Sequence, residues 1–297
     1  ISYFIVTRLA RFRDRFLDAF LVSGMLACLF GITDYFKMDI LHFKVNMKPE
    51  QMSSYTSTIG NINTYTAYVA LIMAIAFILY CTSKEMKKTI IYFICYIISL
   101  FAIIMGVSDN AYLSLAAMLG LTPFYLFINR RGLKRYIAGL LSFFVVIKCI
   151  GWINTTMPDK VYGIDSSFNK IMAMNGLTAI MTALLFLLVA LCVLDYVKKN
   201  SGNELVGNWL RWFWLVVVIL VVAGVLYGVY DATILGQGEK YGPLQEYLEF
   251  NDGWGTHRGY IWRMGMELYK EFPISKKIFG FGPDTYGVLT ISKRYSE

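Results

Sequence analysis

Between Trp254 and Tyr286 the chain gathers its best set of residues for holding a charged ligand. Trp254-Gly255-Thr256-His257-Arg258-Gly259-Tyr260-Ile261-Trp262 is followed by Glu271-Phe272-Pro273-Ile274, then by Gly280-Phe281-Gly282-Pro283-Asp284-Thr285-Tyr286. An arginine at a helix start, aromatics one turn on and a Gly-x-Gly-Pro turn together suit an anionic head group at a bilayer surface. The planar guanidinium contacts two phosphate oxygens at once, and helix N-terminal amides add donors. A second polar element, Gly60-Asn61-Ile62-Asn63, opens an apolar run. Other chemistries have little support, because the chain has no P-loop, no G-x-S-x-G, no H-E-x-x-H and only two histidines, His42 and His257. The five cysteines lie within or at the ends of apolar runs without C-x-x-C spacing, so neither disulfides nor a thiolate metal site is expected.

Composition decides which solvent surrounds these residues. Of 297 residues, 57% are hydrophobic and only 16% charged, against about 25% charged in a soluble domain. So much apolar surface needs lipid. A net charge of +8 would suit nucleic acid if the basic residues shared one soluble face. They sit instead in short clusters between apolar runs, which is a topology signal, and no nucleic-acid partner is expected.

A bilayer core of about 30 Å takes roughly 20 mostly apolar residues per helix. Such runs occur at about Phe16 to Phe36, Asn63 to Thr82, Thr89 to Val107, Ala111 to Asn129, Arg135 to Ile153, Gly176 to Val197 and Trp209 to Tyr230. The expected fold class is all-α: a polytopic transmembrane helical bundle of about seven spans over residues 1–230, then a large external loop over residues 231–297. Four basic clusters alternate with less basic connections: Arg8, Arg11, Arg13 and Arg15; Lys84, Lys87 and Lys88; Arg130, Arg131, Lys134 and Arg135; and Lys198, Lys199 and Arg211. By the positive-inside rule all four face the cytoplasm, which puts the connections near 37–62, 108–110 and 154–175, and everything after Asp231, outside. Pro123 falls inside the fourth run, where neighbouring helices must satisfy the carbonyl it frees. In the loop, Trp262, Met266 and Tyr269 recur at helical spacing, so an amphipathic helix is expected over Tyr260 to Glu271, ended by Pro273. Ile1 is not a start residue and the external loop stops at Glu297 without a returning helix, so the chain reads as a fragment of a longer protein.

The order Arg-x-x-x-Trp, a proline about ten residues on, then Gly-x-Gly-Pro and an aromatic resembles the signature of the bacterial O-antigen ligase and polymerase superfamily. Arg258, Trp262, Pro273, Gly280, Gly282, Pro283 and Tyr286 match that pattern, and Gly60-Asn61-Ile62-Asn63 resembles the family's G-N-x-N element at the start of a membrane helix. One departure stands out. Where family members carry Ser-Arg-Gly at the external start of a later helix, this chain has Ser108-Asp109-Asn110, an acid in place of the arginine. The resemblance implies transfer of a glycan from an undecaprenyl-diphosphate carrier to a glycan, lipid or protein acceptor, outside the cytoplasmic membrane, with no cofactor and no metal. Arg258 is the implied catalytic residue; Asn61, Asn63, Trp262, Gly280, Gly282 and Tyr286 are the implied substrate-binding set. The histidine that the ligases carry after the Gly-x-Gly-Pro turn falls beyond Glu297, and His257 does not occupy its position.

Simpler roles compete for each residue. Arg258 is equally suited to snorkelling toward lipid phosphate, and Trp262 to an interface belt. Gly280, Gly282 and Pro283 shape a turn, Asn61 and Asn63 suit a helix cap, and so does Asp109. Lys148 in the fifth run suits outward snorkelling, while Glu267 and Glu271 suit the solvated face of the amphipathic helix. A lipid-glycan flippase or other transporter, and a membrane scaffold without activity, are the competing functions. A transporter tends to place ionisable residues deep in its spans, and these spans are nearly free of them.

Overall fold

The computed structural model describes residues 14–52, 55–164, 167–197 and 206–294. Arg8, Arg11, Arg13, Lys198 and Lys199 lie outside the described residues. The long helices are α1 (Asp14–Tyr35), α2 (Ile62–Thr82), α3 (Met86–Met105), α4 (Asp109–Leu121), α5 (Pro123–Leu126), α6 (Arg130–Thr156), α7 (Leu177–Val197) and α8 (Trp209–Thr233), with α5 a single turn among them. In the tail, a single turn at Gln245–Leu248 is followed by α9 (Trp254–Glu271), α10 (Ile274–Phe279) and α11 (Thr285–Arg294). The only sheet among the described residues is a two-stranded antiparallel ribbon, β1 (Tyr55–Thr56) on β2 (Gly60–Asn61).

Six helices among the described residues are long and apolar enough to cross a membrane: α1, α2, α3, α6, α7 and α8. The expected fourth span is not among them. It stops at Leu121 and restarts at Pro123, giving a 13-residue α4 and a 4-residue α5. Proline has no N–H for the carbonyl four residues back, and that carbonyl, Leu119 O, accepts instead from the hydroxyl of Tyr136 on α6 at 2.9 Å. Gly120 O accepts from the indole N–H of Trp214 at 2.8 Å. The break is thus closed by side chains of other helices, as apolar surroundings require. The broken segment still joins the two ends of the bundle. Ser108 before α4 hydrogen-bonds Asn63 at the start of α2, at 2.7 Å, whereas Arg135 near the start of α6 donates to Cys81 O and Ser83 O at the end of α2, at 3.2 and 2.6 Å.

Two compact units divide the chain, residues 1–215 and 216–297, and the division falls inside α8. In the first, α2 and α3 form the most extensive helix pair. Their shared core is aromatic: Phe77 lies 4.9 Å from Tyr96, Tyr80 lies 4.9 Å from Phe93, and the buried Tyr96 hydroxyl donates to Gly139 O on α6 at 3.1 Å. At the basic end, Asp195 on α7 pairs with Arg130, 3.2 Å away, and with Lys134. Outward surfaces tell which solvent the helices meet: α7 buries only Leu177 and Asp195, and Leu185, Phe186 and Val189 are all more than half exposed. An apolar surface of this extent is covered by lipid in a membrane protein.

In the second unit the tail is more helical than the single amphipathic segment expected. Helix α9 begins at Trp254, not Tyr260, and ends at Glu271 because Phe272 precedes a proline and takes an extended ψ of 141°.

If Tyr136 repairs the break at Pro123, Tyr136→Phe costs about 1 kcal/mol in the parent and clearly less in Pro123→Ala, whose restored N–H can bond Leu119 O. Reversible unfolding of the four proteins in detergent measures this coupling; equal costs in both backgrounds contradict it.

Candidate functional site

The tail motif is built on α9. Gly255 and His257 have φ of 59° and 70°, so the first turn of α9, which starts at Trp254, holds two left-handed residues before Arg258. Arg258 is therefore the fifth residue of α9, about one turn inside the element rather than at its start. Gly259 is buried with its Cα against Asn251 O, where any Cβ would overlap that carbonyl. Arg258 itself is exposed, and among the described residues its side chain makes no hydrogen bond or ion pair. Its neighbour Arg263 behaves in the opposite way: Nε and one terminal nitrogen grip both oxygens of Asp252 at 2.8 Å each, and the other terminal nitrogen reaches Glu267 at 3.0 Å. These bonds hold the Asp252 carboxyl below its ordinary range and raise the guanidinium of Arg263. Glu267 is thus an ion-pair partner on the solvated face.

Trp262, half exposed, closes an aromatic cluster with Phe250 and Trp254, stacked on the first at 5.9 Å and tilted against the second at 5.4 Å. The turn after α10 uses backbone that a side chain would oppose, with φ of 70° at Gly280, 103° at Gly282 and 57° at Asp284. That turn leads Tyr286 back to α9, where its hydroxyl donates to Ile261 O and its ring lies against Gly265. Partial burial, then Tyr260, raise its phenol pKa. Of the expected site residues, the tail therefore brings Tyr286 against the Arg258–Trp262 helix, while Gly280 and Gly282 act through the turn.

Asn61 and Asn63 belong to the bundle. Asn61 caps α2, its side-chain oxygen accepting from Asn63 N at 2.9 Å and Thr64 N at 3.2 Å. Asn63 accepts from Ser108 Oγ and, at its carbonyl, from Asn110 Nδ2 at 3.4 Å. The Gly-Asn-x-Asn and Ser-Asp-Asn elements thus meet at one end of the bundle; Asp109 is the first residue of α4, after Ser108 in the capping position.

At that same end the structure assembles groups that sequence reasoning passed over. A cavity of about 350 Å³ is lined by Asp34, Lys44, Thr56, Ile62, Tyr65 and Tyr162, among others. Asp34 and Lys44 are both buried and 3.5 Å apart, and Asp34 also accepts from Ser57 N at 2.6 Å. Lys44 and Lys37 sit 5.0 and 5.6 Å from the Tyr162 ring centre. Partial burial, with Asp34 and Asp39 nearby, raises the Tyr162 phenol and keeps it protonated. In sequence, a charge at the end of an apolar run is commonplace, so only the pairing of residues from separate connections marks this place. No three His, Cys, Asp or Glu side chains converge as a metal site among the described residues. Lys148 is exposed, at the rim of an apolar groove beside Trp152.

No family model, curated protein or solved structure matches this chain.

The Asn61 cap is separable from any contact with a ligand. Asn61→Ala is expected to cost about 1 kcal/mol, and Asn61→Ser, an equally good cap, to recover it. Thermal unfolding in detergent reads both; failure of serine to rescue means that Asn61 does more than cap.

Proposed function

We propose that the chain transfers a glycan from a polyprenyl-diphosphate-linked donor to a glycan, lipid or protein acceptor at the outer face of the cytoplasmic membrane, as a polysaccharide polymerase or an O-antigen-type ligase. The observation that carries this reading is the contrast between two arginines on one helix. Arg263 is consumed by Asp252 and Glu267, while Arg258, one turn into the same helix, makes no hydrogen bond or ion pair among the described residues. In this reading the acceptor hydroxyl attacks the anomeric carbon, the bond from that carbon to the phosphate oxygen breaks, the hydroxyl proton passes to water or to the departing phosphate, and the lipid pyrophosphate leaves with its charge offset by Arg258. The adjacent helix N-terminus adds amide donors. Membrane lipid surrounds the bundle, and the positive-inside rule puts the clustered Lys84–Lys88 and Arg130–Arg135 end in the cytoplasm and the tail outside. A flippase would be expected to bury ionisable groups in mid-span. The buried pairs found here, Asp34 with Lys44 and Asp195 with Arg130 and Lys134, lie at helix ends instead.

A lipid anchor needs only a long cation, whereas a pyrophosphate clamp needs the fork that lysine lacks. Arg258→Lys is expected to insert and fold like the parent and to lose transfer by about ten- to a thousandfold. Glycan product per amount of inserted full-length protein is the measurement; parental activity reduces Arg258 to an interface residue.

The second expectation concerns cofactors. Transfer should continue with chelator present and nucleotide sugar absent, since the donor carries its own leaving group. Loss on chelation, restored by a divalent ion, assigns the protein to metal-assisted chemistry instead.

A further inference from the structure

The cavity at the Asn63 end of the bundle holds a buried polar atom that the fold leaves unanswered. Tyr65 is 1% exposed, and its hydroxyl is the one buried side-chain polar atom without a hydrogen-bond partner among the described residues. The same residue lines the cavity of about 350 Å³. Native folds rarely strand such a group, because it gives up water and receives nothing. Gly31 faces it across the wall: a Cβ there would overlap the hydroxyl. Backbone strain gathers around the same space. Lys37, Ser57 and Val107 have φ of 58°, 59° and 42°, and for a β-branched residue such as Val107 this is costly. Strain of this kind concentrates at ligand sites, where the surrounding structure holds it in place.

The lining selects the class of ligand. Its two charged residues, Asp34 and Lys44, balance each other, so the local charge sums to zero and favours neither an anion nor a cation. Donors and acceptors nevertheless abound: the Lys44 ammonium, the Asp34 carboxylate, and the Thr56 and Tyr65 hydroxyls. Between them stand apolar walls from Ile62, Ala102 and Met105. A neutral molecule with hydroxyls at its edge and C–H groups on its faces matches this mixture. The volume is at the lower end of the roughly 300–1,000 Å³ of small-molecule sites.

We propose that this cavity binds one neutral sugar residue, with the Tyr65 hydroxyl, Lys44 and Asp34 as its hydrogen-bonding partners. Choosing a sugar among neutral polyols rests on the glycan-transfer reading; the cavity and its orphan hydroxyl stand without it. Tyr65 then acts as a recognition group: it remains unsatisfied until a ligand hydroxyl arrives.

The test uses the purified chain in detergent, titrated at millimolar concentrations with glucose, galactose, rhamnose and N-acetylglucosamine, with phosphate and glucosamine as charged controls. Binding is read by ligand-observed saturation transfer. At least one neutral sugar is expected to bind saturably, more tightly than either control. Tyr65→Phe should weaken it about tenfold, one hydrogen bond's worth, and the ligand-free Tyr65→Phe protein should unfold at the parental temperature or above. Thr56→Val, on the opposite limb of the ribbon, provides a second variant in case Tyr65→Phe folds poorly, with a several-fold loss expected. Absence of saturable binding by all four sugars, or unchanged affinity in a folded Tyr65→Phe protein, overturns the proposal. Sugar binding that persists while Arg258-dependent transfer fails would remove the catalytic reading and keep this site; transfer without sugar binding would do the reverse.

Discussion

The carboxylate of Asp34 holds one end of the bundle together. Withdrawing a carboxylate from water is expensive unless charge and hydrogen bonds are returned to it. Here one oxygen accepts from the Ser57 amide and the other faces Lys44. Ser57 and Lys44 come from two limbs of the connection between α1 and α2, so a single group at the end of α1 ties both limbs down. Ser57 takes a left-handed φ of 59° to reach it, and its hydroxyl is answered by Ala27 O at 3.0 Å. From there the chain passes through the short ribbon to Gly60 and delivers Asn61 to cap α2. Tyr162 joins the same end through its amide, which donates to Tyr35 O at 3.1 Å.

A bundle solvated by lipid obeys a further rule, that backbone polar groups must be answered inside the protein. Most of the helices obey by being unbroken. The Leu121–Pro123 break obeys through Tyr136 and Trp214, which reach the two carbonyls it exposes. Polar chemistry is thereby pushed to the helix ends: Asp195 with its two cations at one, and Asp34, Lys44, Asn63 and Ser108 at the other. Only at such ends can irregular backbone gather enough donors and acceptors to enclose a polar cavity.

The tail follows different logic because its helices carry charge on exposed faces. Asp252 spends its carboxylate on Arg263, which fixes the entry to α9. Phe250, Trp254 and Trp262 pack beside that clamp. Lys276 and Lys277 lie over Phe281 and Tyr269, at 4.9 and 5.7 Å. These contacts occupy most of the aromatic and basic residues near the motif and leave Arg258 projecting from the helix they hold.

The amino-acid sequence by itself determined the membrane class, the position of the apolar helices to within a few residues, and the end of α9 before Pro273, because length, hydropathy and proline act locally. It also located Asn61 at a helix entry, since an asparagine before an apolar run is a local capping signal. It overstated the fourth span, where continuous hydropathy hid the break at Leu121, and it missed α10 and α11 in the tail, whose charge obscured their periodicity. Which arginine of α9 is held by acids was decided only by tertiary structure, because Asp252 and Glu267 could be assigned to Arg263 only once their distances were known. The cavity was equally invisible in one dimension. Asp34, Lys44, Tyr65 and Tyr162 belong to four separate segments, and a buried hydroxyl without a partner is a property of three-dimensional packing that no local pattern of residues records.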